Sequence, residues 1–195
     1  MPLHVPPAPL PALRSLNVAL GSPTAVRDAR TPALRTAPGP LSPEHPLPVH
    51  VLDQVAPGGT APLTRLTGWR FLVAAGDRAV AAADTMLTPD GWSFSRFFEG
   101  PYVPSTERAL RQAEAVKGHW QPRLLSVPEL YMLTLWLHGD TDADPATGTP
   151  APDDLLIPLA PAPPGIAAHH PHPVADLLPL LTLRLAPAPL LGSPA

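Results

Sequence analysis

Hydrophobic and polar positions alternate in three short runs near the middle of the chain. Trp69-Arg70-Phe71-Leu72-Val73-Ala74 puts Trp69, Phe71 and Val73 on one face, the period-two spacing of a half-buried strand. Gly76-Asp77 then reads as a two-residue turn, because glycine in the first position suits type II′. Arg78 to Met86 is the expected return strand, although its alanines favour helix. Thr88-Pro89-Asp90-Gly91 is a second turn, with proline presetting φ and glycine accepting φ > 0. Trp92, Phe94, Arg96 and Phe98 alternate next and complete a three-stranded meander.

The period changes after Gly100-Pro101. Ser105 is placed to cap a helix over 106–117, with Glu107 in its first turn, Lys117 in its last and Gly118 as the stop. Ala109, Leu110, Ala113 and Val116 form its apolar stripe, and Glu107 and Arg111 make an i, i+4 pair. Leu130 to His138 is the most apolar segment and predicts a central strand. Asp154 to Leu159 predicts its hairpin partner, drawn toward an edge by Pro158. An acidic loop over 139–152 joins them. Val49 to Val55, between Pro48 and Pro57, predicts an edge strand. Pro173 is placed to open a leucine-rich helix to about Leu185, kinked at Pro179. The predicted class is therefore α+β. An antiparallel sheet of about five to six strands (three-stranded meander, helix, two-stranded hairpin) carries one covering helix, with a C-terminal helix over 173–185 as a further candidate.

Proline sharpens this division. Of 32 prolines, 14 lie in residues 1–63, 3 in 64–121 and 15 in 122–195. Proline is excluded from helix interiors and central strands. Residues 1–46 accordingly read as a Pro/Ala-rich, largely disordered tail. A short helix can interrupt it, opened by Pro11, with Leu13, Leu16 and Leu20 on one face and Gly21 as its stop. Residues 47–166 read as the α+β core, and 167–195 as a His/Pro connector with a Leu/Pro-rich C-terminal segment. Charge follows the same map: +3 over 1–43, −1 over 44–138 and −5 over 139–195.

Composition removes several chemistries. With no cysteine, disulfide scaffolds, thiolate metal sites and cysteine nucleophiles are excluded. A net charge of −3 lacks the basic excess expected for nucleic-acid binding. No apolar run is long enough for a transmembrane helix, and the first residues lack a signal-peptide pattern. A soluble, cytoplasmic protein is the expectation. Arginine outnumbers lysine 12 to 1, which fits GC-rich coding and a bacterial source.

Candidate chemistry is sparse. His169, His170 and His172 form the sharpest cluster, since imidazoles are common metal ligands. Asp176 is the only acid nearby, and the plain alternative is a solvated connector. Asp140, Asp142 and Asp144 alternate like the start of an EF-hand loop, but Pro145 and Ala151 stand where glycine and glutamate are needed. Ser126, His138 and Asp140 supply the residue types of a hydrolase triad without a G-x-S-x-G elbow. The aromatic meander, interleaved with Arg70, Arg78 and Arg96, could stack nucleic-acid bases, yet aromatic strands more often fill a core. No cofactor is expected.

The sequence therefore predicts a small non-catalytic protein that binds another protein or peptide, its proline-rich tail serving as linker or recognition segment. The alternative is a small metal-assisted or hydrolytic enzyme using the His169–His172 cluster or the His138/Asp140 strand end.

Overall fold

Alternating side chains from both halves of the chain build one mixed sheet. The computed structural model describes residues 3–28, 30–54 and 63–185. Its strands are β1 (Leu41–Gln54), β2 (Leu63–Ala75), β3 (Arg78–Thr88), β4 (Gly91–Phe98), β5 (Gln121–Val127), β6 (Met132–His138), β7 (Leu155–Pro158) and β8 (His172–Pro173). They lie in the order β4-β3-β2-β1-β5-β6-β7-β8. Every pairing is antiparallel except β1 with β5, which is parallel over Val49–Val51 and Leu124–Ser126. The class is α+β as expected, but the sheet has eight strands rather than five or six and is not wholly antiparallel.

The meander forms as β2-β3-β4. Its turns pair Ala75 with Arg78 and Thr88 with Gly91, with Gly76 at φ 63° and Gly91 at φ 111°. β6 and β7 pair as the predicted hairpin. The unpredicted β5 carries Pro122 and Arg123 within an apolar run, which masks its pattern. β1 is not an edge strand: it lies between β2 and β5. It tolerates Pro43, Pro46 and Pro48 because β5 reaches only Val49–Val51, so these prolines border one hydrogen-bonded neighbour. A register shift between Glu44 and Leu47, with His45 at φ 46°, bends the strand there. Position 55 of the expected strand lies outside the described residues.

Three helices precede the sheet: α1 (Leu10–Leu20), α2 (Pro23–Asp28) and α3 (Pro32–Thr36). α4 (Tyr102–Glu114) bridges β4 and β5, and α5 (Val174–Leu185) ends the described chain, with Pro179 inside it. The expected tail over 1–46 is thus largely folded where it is described. Leu16 and Leu34 are buried with Trp69, Phe71 and Phe97. Leu3 packs on the core beneath α4, and the His4 N–H donates to the Trp120 carbonyl at 2.9 Å. An eleven-residue helix such as α1 is marginal alone; burial of its Leu16 face supplies the missing stability.

Two faces result, where one covering helix was expected. α4 lays Val103, Ala109, Leu110 and Ala113 over Leu47, Leu72, Leu124 and Leu135. On the opposite face α1 and α3 cover the meander, and α5 inserts Val174, Leu177 and Leu181 against Leu125, Trp136 and Leu156. α4 starts four residues earlier than predicted, after Pro101, and ends before Val116. Ser105 is therefore no cap. It lies buried in the first turn, where its Oγ accepts the Ala160 N–H at 2.8 Å and sits 3.1 Å from His169 Nε2. Glu107 and Arg111 do pair, at 3.6 Å. Among the described residues no helix is long and apolar enough to cross a membrane.

Candidate functional site

Polar side chains gather at two places on the sheet, one closed and one open. The closed one lies on the α5 face. Strand alternation sends Gln121, Arg123 and Leu125 of β5 to this face, together with Trp136 and His138 of β6 and His50 of β1. Asp154, just before β7, accepts four hydrogen bonds: from Trp136 Nε1 at 2.7 Å, His138 Nδ1 at 2.8 Å, and the Gly139 and Ala151 N–H groups at 2.9 Å. Burial by itself would raise its pKa. The donors outweigh that, His138 first, and hold the carboxyl below its ordinary value.

Arg123 is fully buried, its guanidinium 4.9 Å from the Trp136 ring centroid. It donates to Gln121 Oε1 and to the Thr147 and Asp144 carbonyls. Desolvation pulls its pKa below the usual value, opposed by the charges of Asp154, Asp144 and Asp140. Gln121 Nε2 donates to the Thr141 and Ala143 carbonyls, and His50 Nε2 donates to the Pro145 carbonyl at 3.0 Å. Desolvation drives the His50 pKa down to about 4. These donors satisfy carbonyls of the 141–147 loop, whose backbone would otherwise lie against the sheet unpaired. The cluster pins the acidic loop to the sheet.

This geometry separates the triad residue types. His138 pairs with Asp154, not Asp140. Ser126 follows the parity of Leu124 and faces α4, on the other side of the sheet from His138. Asp140 and Asp144 instead accept the N–H groups of Asp142 and Ala146 within their own loop. Of the three candidate histidines, His169 adopts φ 60° and approaches Ser105, while His170 and His172 meet edge to face at 4.9 Å. Burial lowers the pKa of both His169 and His172. Among the described residues no three His, Asp or Glu side chains are grouped so as to hold a metal ion. Trp69, Phe71 and Phe97 of the aromatic meander are buried beneath α1 and α3.

The open place lies on the α4 face, at the ends of the strands that α4 leaves uncovered. Arg70, Asp84 and Arg96 stand side by side on β2, β3 and β4. Arg70 grips Asp84 through two bonds of 2.8 and 3.0 Å. Arg96 reaches the same carboxylate only at 3.6 Å, and its side chain is 66% exposed. Both guanidinium groups flank the Phe98 ring, at 4.4 and 5.4 Å. From here a groove of about 600 Å³ runs past Tyr102 and Ser126 to Tyr131 and Met132. A smaller hollow of about 240 Å³ adjoins it at Arg96.

Tyr131 ends the Pro128–Leu130 3₁₀ turn in the left-handed region (φ 50°, ψ 35°), and it is 89% exposed. That conformation is disfavoured for a bulky side chain. Tyr102 O–H holds it there, shared between the Tyr131 carbonyl at 2.8 Å and the Pro161 carbonyl at 3.1 Å.

Sequence reasoning missed the roles of Arg123, Asp154 and Tyr131. A lone arginine inside the run Pro122-Arg123-Leu124-Leu125 was the available signal for a buried cation. No family model matches the chain, and neither the curated proteins nor the solved structures contain a match to it.

Proposed function

We propose that the chain is a non-catalytic binding protein that docks a peptide segment of another protein in the Tyr131–Arg96 groove. The observation that carries this reading is the exposed Tyr131, held in a disfavoured backbone conformation at the mouth of an uncovered groove. Strain retained at a surface position is characteristic of binding sites, and tyrosine and arginine, which stand at the two ends of this groove, are residue types enriched among interface anchors. The test is paired capture from a cell lysate with the full chain and with Tyr131→Ala. A protein retained by the first and lost from the second supports docking. Equal retention, or none in either, counts against it.

A second reading, a hydrolytic or metal-assisted enzyme, draws support from the His138–Asp154 pair, because a carboxylate on Nδ1 orients the ring as in acid–base catalysis. The His169–His172 segment remains its metal candidate. A ligand specific for the folded state raises the melting temperature; an unchanged Tm with Zn²⁺ or Ni²⁺ would remove the metal branch.

A further inference from the structure

We infer that the occupant of the groove is an extended acidic peptide whose carboxylate seats on the Arg96 guanidinium. This deepens the docking reading and rests on it.

Charge favours an acidic occupant. Among the described residues no carboxylate lines the groove itself; Asp84, beneath its arginine end, already has both oxygens engaged by Arg70 at close range. Arg96 is a second cation on an acid that is already bridged, so this row carries one net positive charge. The chain as a whole is at −3. Glu129, in the neighbouring turn, does not line the groove. Phe98 holds the Arg96 guanidinium by its ring face, fixing the cation against an apolar floor, where a carboxylate is recognised more strongly than in open water.

Length and lining set the rest. Arg96 on β4 and Met132 on β6 lie five strands apart in the sheet, so a single side chain does not reach both ends, whereas an extended segment crossing the strands does. Beyond the arginines the lining is Tyr102, Pro128, Tyr131, Met132 and Leu133, which suits apolar side chains. The fitting peptide therefore carries Asp or Glu near one end and apolar residues toward the other.

The test selects a random peptide library on the full chain and counter-selects on the Arg96→Ala/Tyr131→Ala double variant. The best binder and its Asp→Asn or Glu→Gln form are then titrated by fluorescence anisotropy. The neutral form is expected to bind about 5–10-fold more weakly, as does the acidic form to Arg96→Ala, since charged hydrogen bonds carry about that share. Affinity also falls between ~50 and ~500 mM NaCl. An unchanged melting temperature of Arg96→Ala separates lost recognition from lost folding. Equal affinity of acidic and neutral peptides, or enrichment of basic ones, overturns the acidic occupant and leaves docking intact. No enrichment at all overturns docking itself. A thymidine oligonucleotide that binds more tightly than any selected peptide, dependent on Arg96, assigns the groove to nucleic acid and overturns the proposal.

Discussion

On the α5 face, Arg123 is fully buried and donates to Gln121 and to two carbonyls of the loop above it. On the α4 face, Arg96 belongs to the same sheet, yet its side chain is 66% exposed and its carboxylate partner is already held by Arg70. Each arginine contacts an aromatic ring, Trp136 in one case and Phe98 in the other. What differs is whether chain returns over the site. Where the chain between β6 and β7 closes down, Gln121, Arg123 and Asp154 are satisfied internally and serve stability. Where α4 stops short, the same chemistry faces outward and is available to a ligand.

That contrast can be broken most directly at Asp154. Asp154→Ala removes the acceptor for four donors and the foremost of the acidic charges that support Arg123, so it should cost about 3–5 kcal/mol, read by urea unfolding. Acidification should act on the same side. Free His50 has a pKa of 6.5 and the folded group about 4, so the unfolded chain binds the proton first. Stability contributed by neutral His50 is present above pH 6.5 and is lost as pH falls toward 4, by about 3 kcal/mol. His169 and His172, also lowered, act in the same direction. Asp154 adds its loss only below its ordinary value of 3.8. His50→Phe should flatten the slope between pH 6.5 and 4; an unchanged slope would remove His50 as its source. On the open side the sign reverses. Tyr131→Gly relieves a left-handed tyrosine and should raise stability by about 1 kcal/mol in thermal unfolding while weakening ligand capture. Arg96→Ala should change stability by less than about 0.5 kcal/mol, as expected for an exposed pair.

The meander was legible because its turns announce themselves in glycine, proline and aspartate. The Arg70–Asp84–Arg96 row was not. Counting back from the Ala75–Arg78 turn places Ala83, not Asp84, opposite Arg70, and counting from Thr88–Gly91 places Ser95, not Arg96, opposite Asp84. One-residue register shifts at Val73/Ala74 and at Asp84/Thr85 bring the three charges into line. Such bulges leave no trace in periodicity. The closed cluster was hidden for another reason. Arg123 on β5 and Asp154 just before β7 are chosen by tertiary burial in stretches that read as apolar and proline-broken. The helices before β1 were hidden by proline content, which argues correctly against long elements and says nothing about short ones that a sheet can cover.

The parallel contact of β1 with β5 has a kinetic consequence. Among the described residues it is the only seam in the sheet between the stretch 41–98 and the stretch 121–173, and it spans three residues of each strand. All other ladders join strands that follow one another along the chain. Each half can zip from its own turns with little loop-closure entropy, whereas the seam must wait until the intervening segment has been drawn together. Weakening Val49–Val51 should therefore slow the final docking of two preassembled halves and leave their local ladders to form at their usual pace.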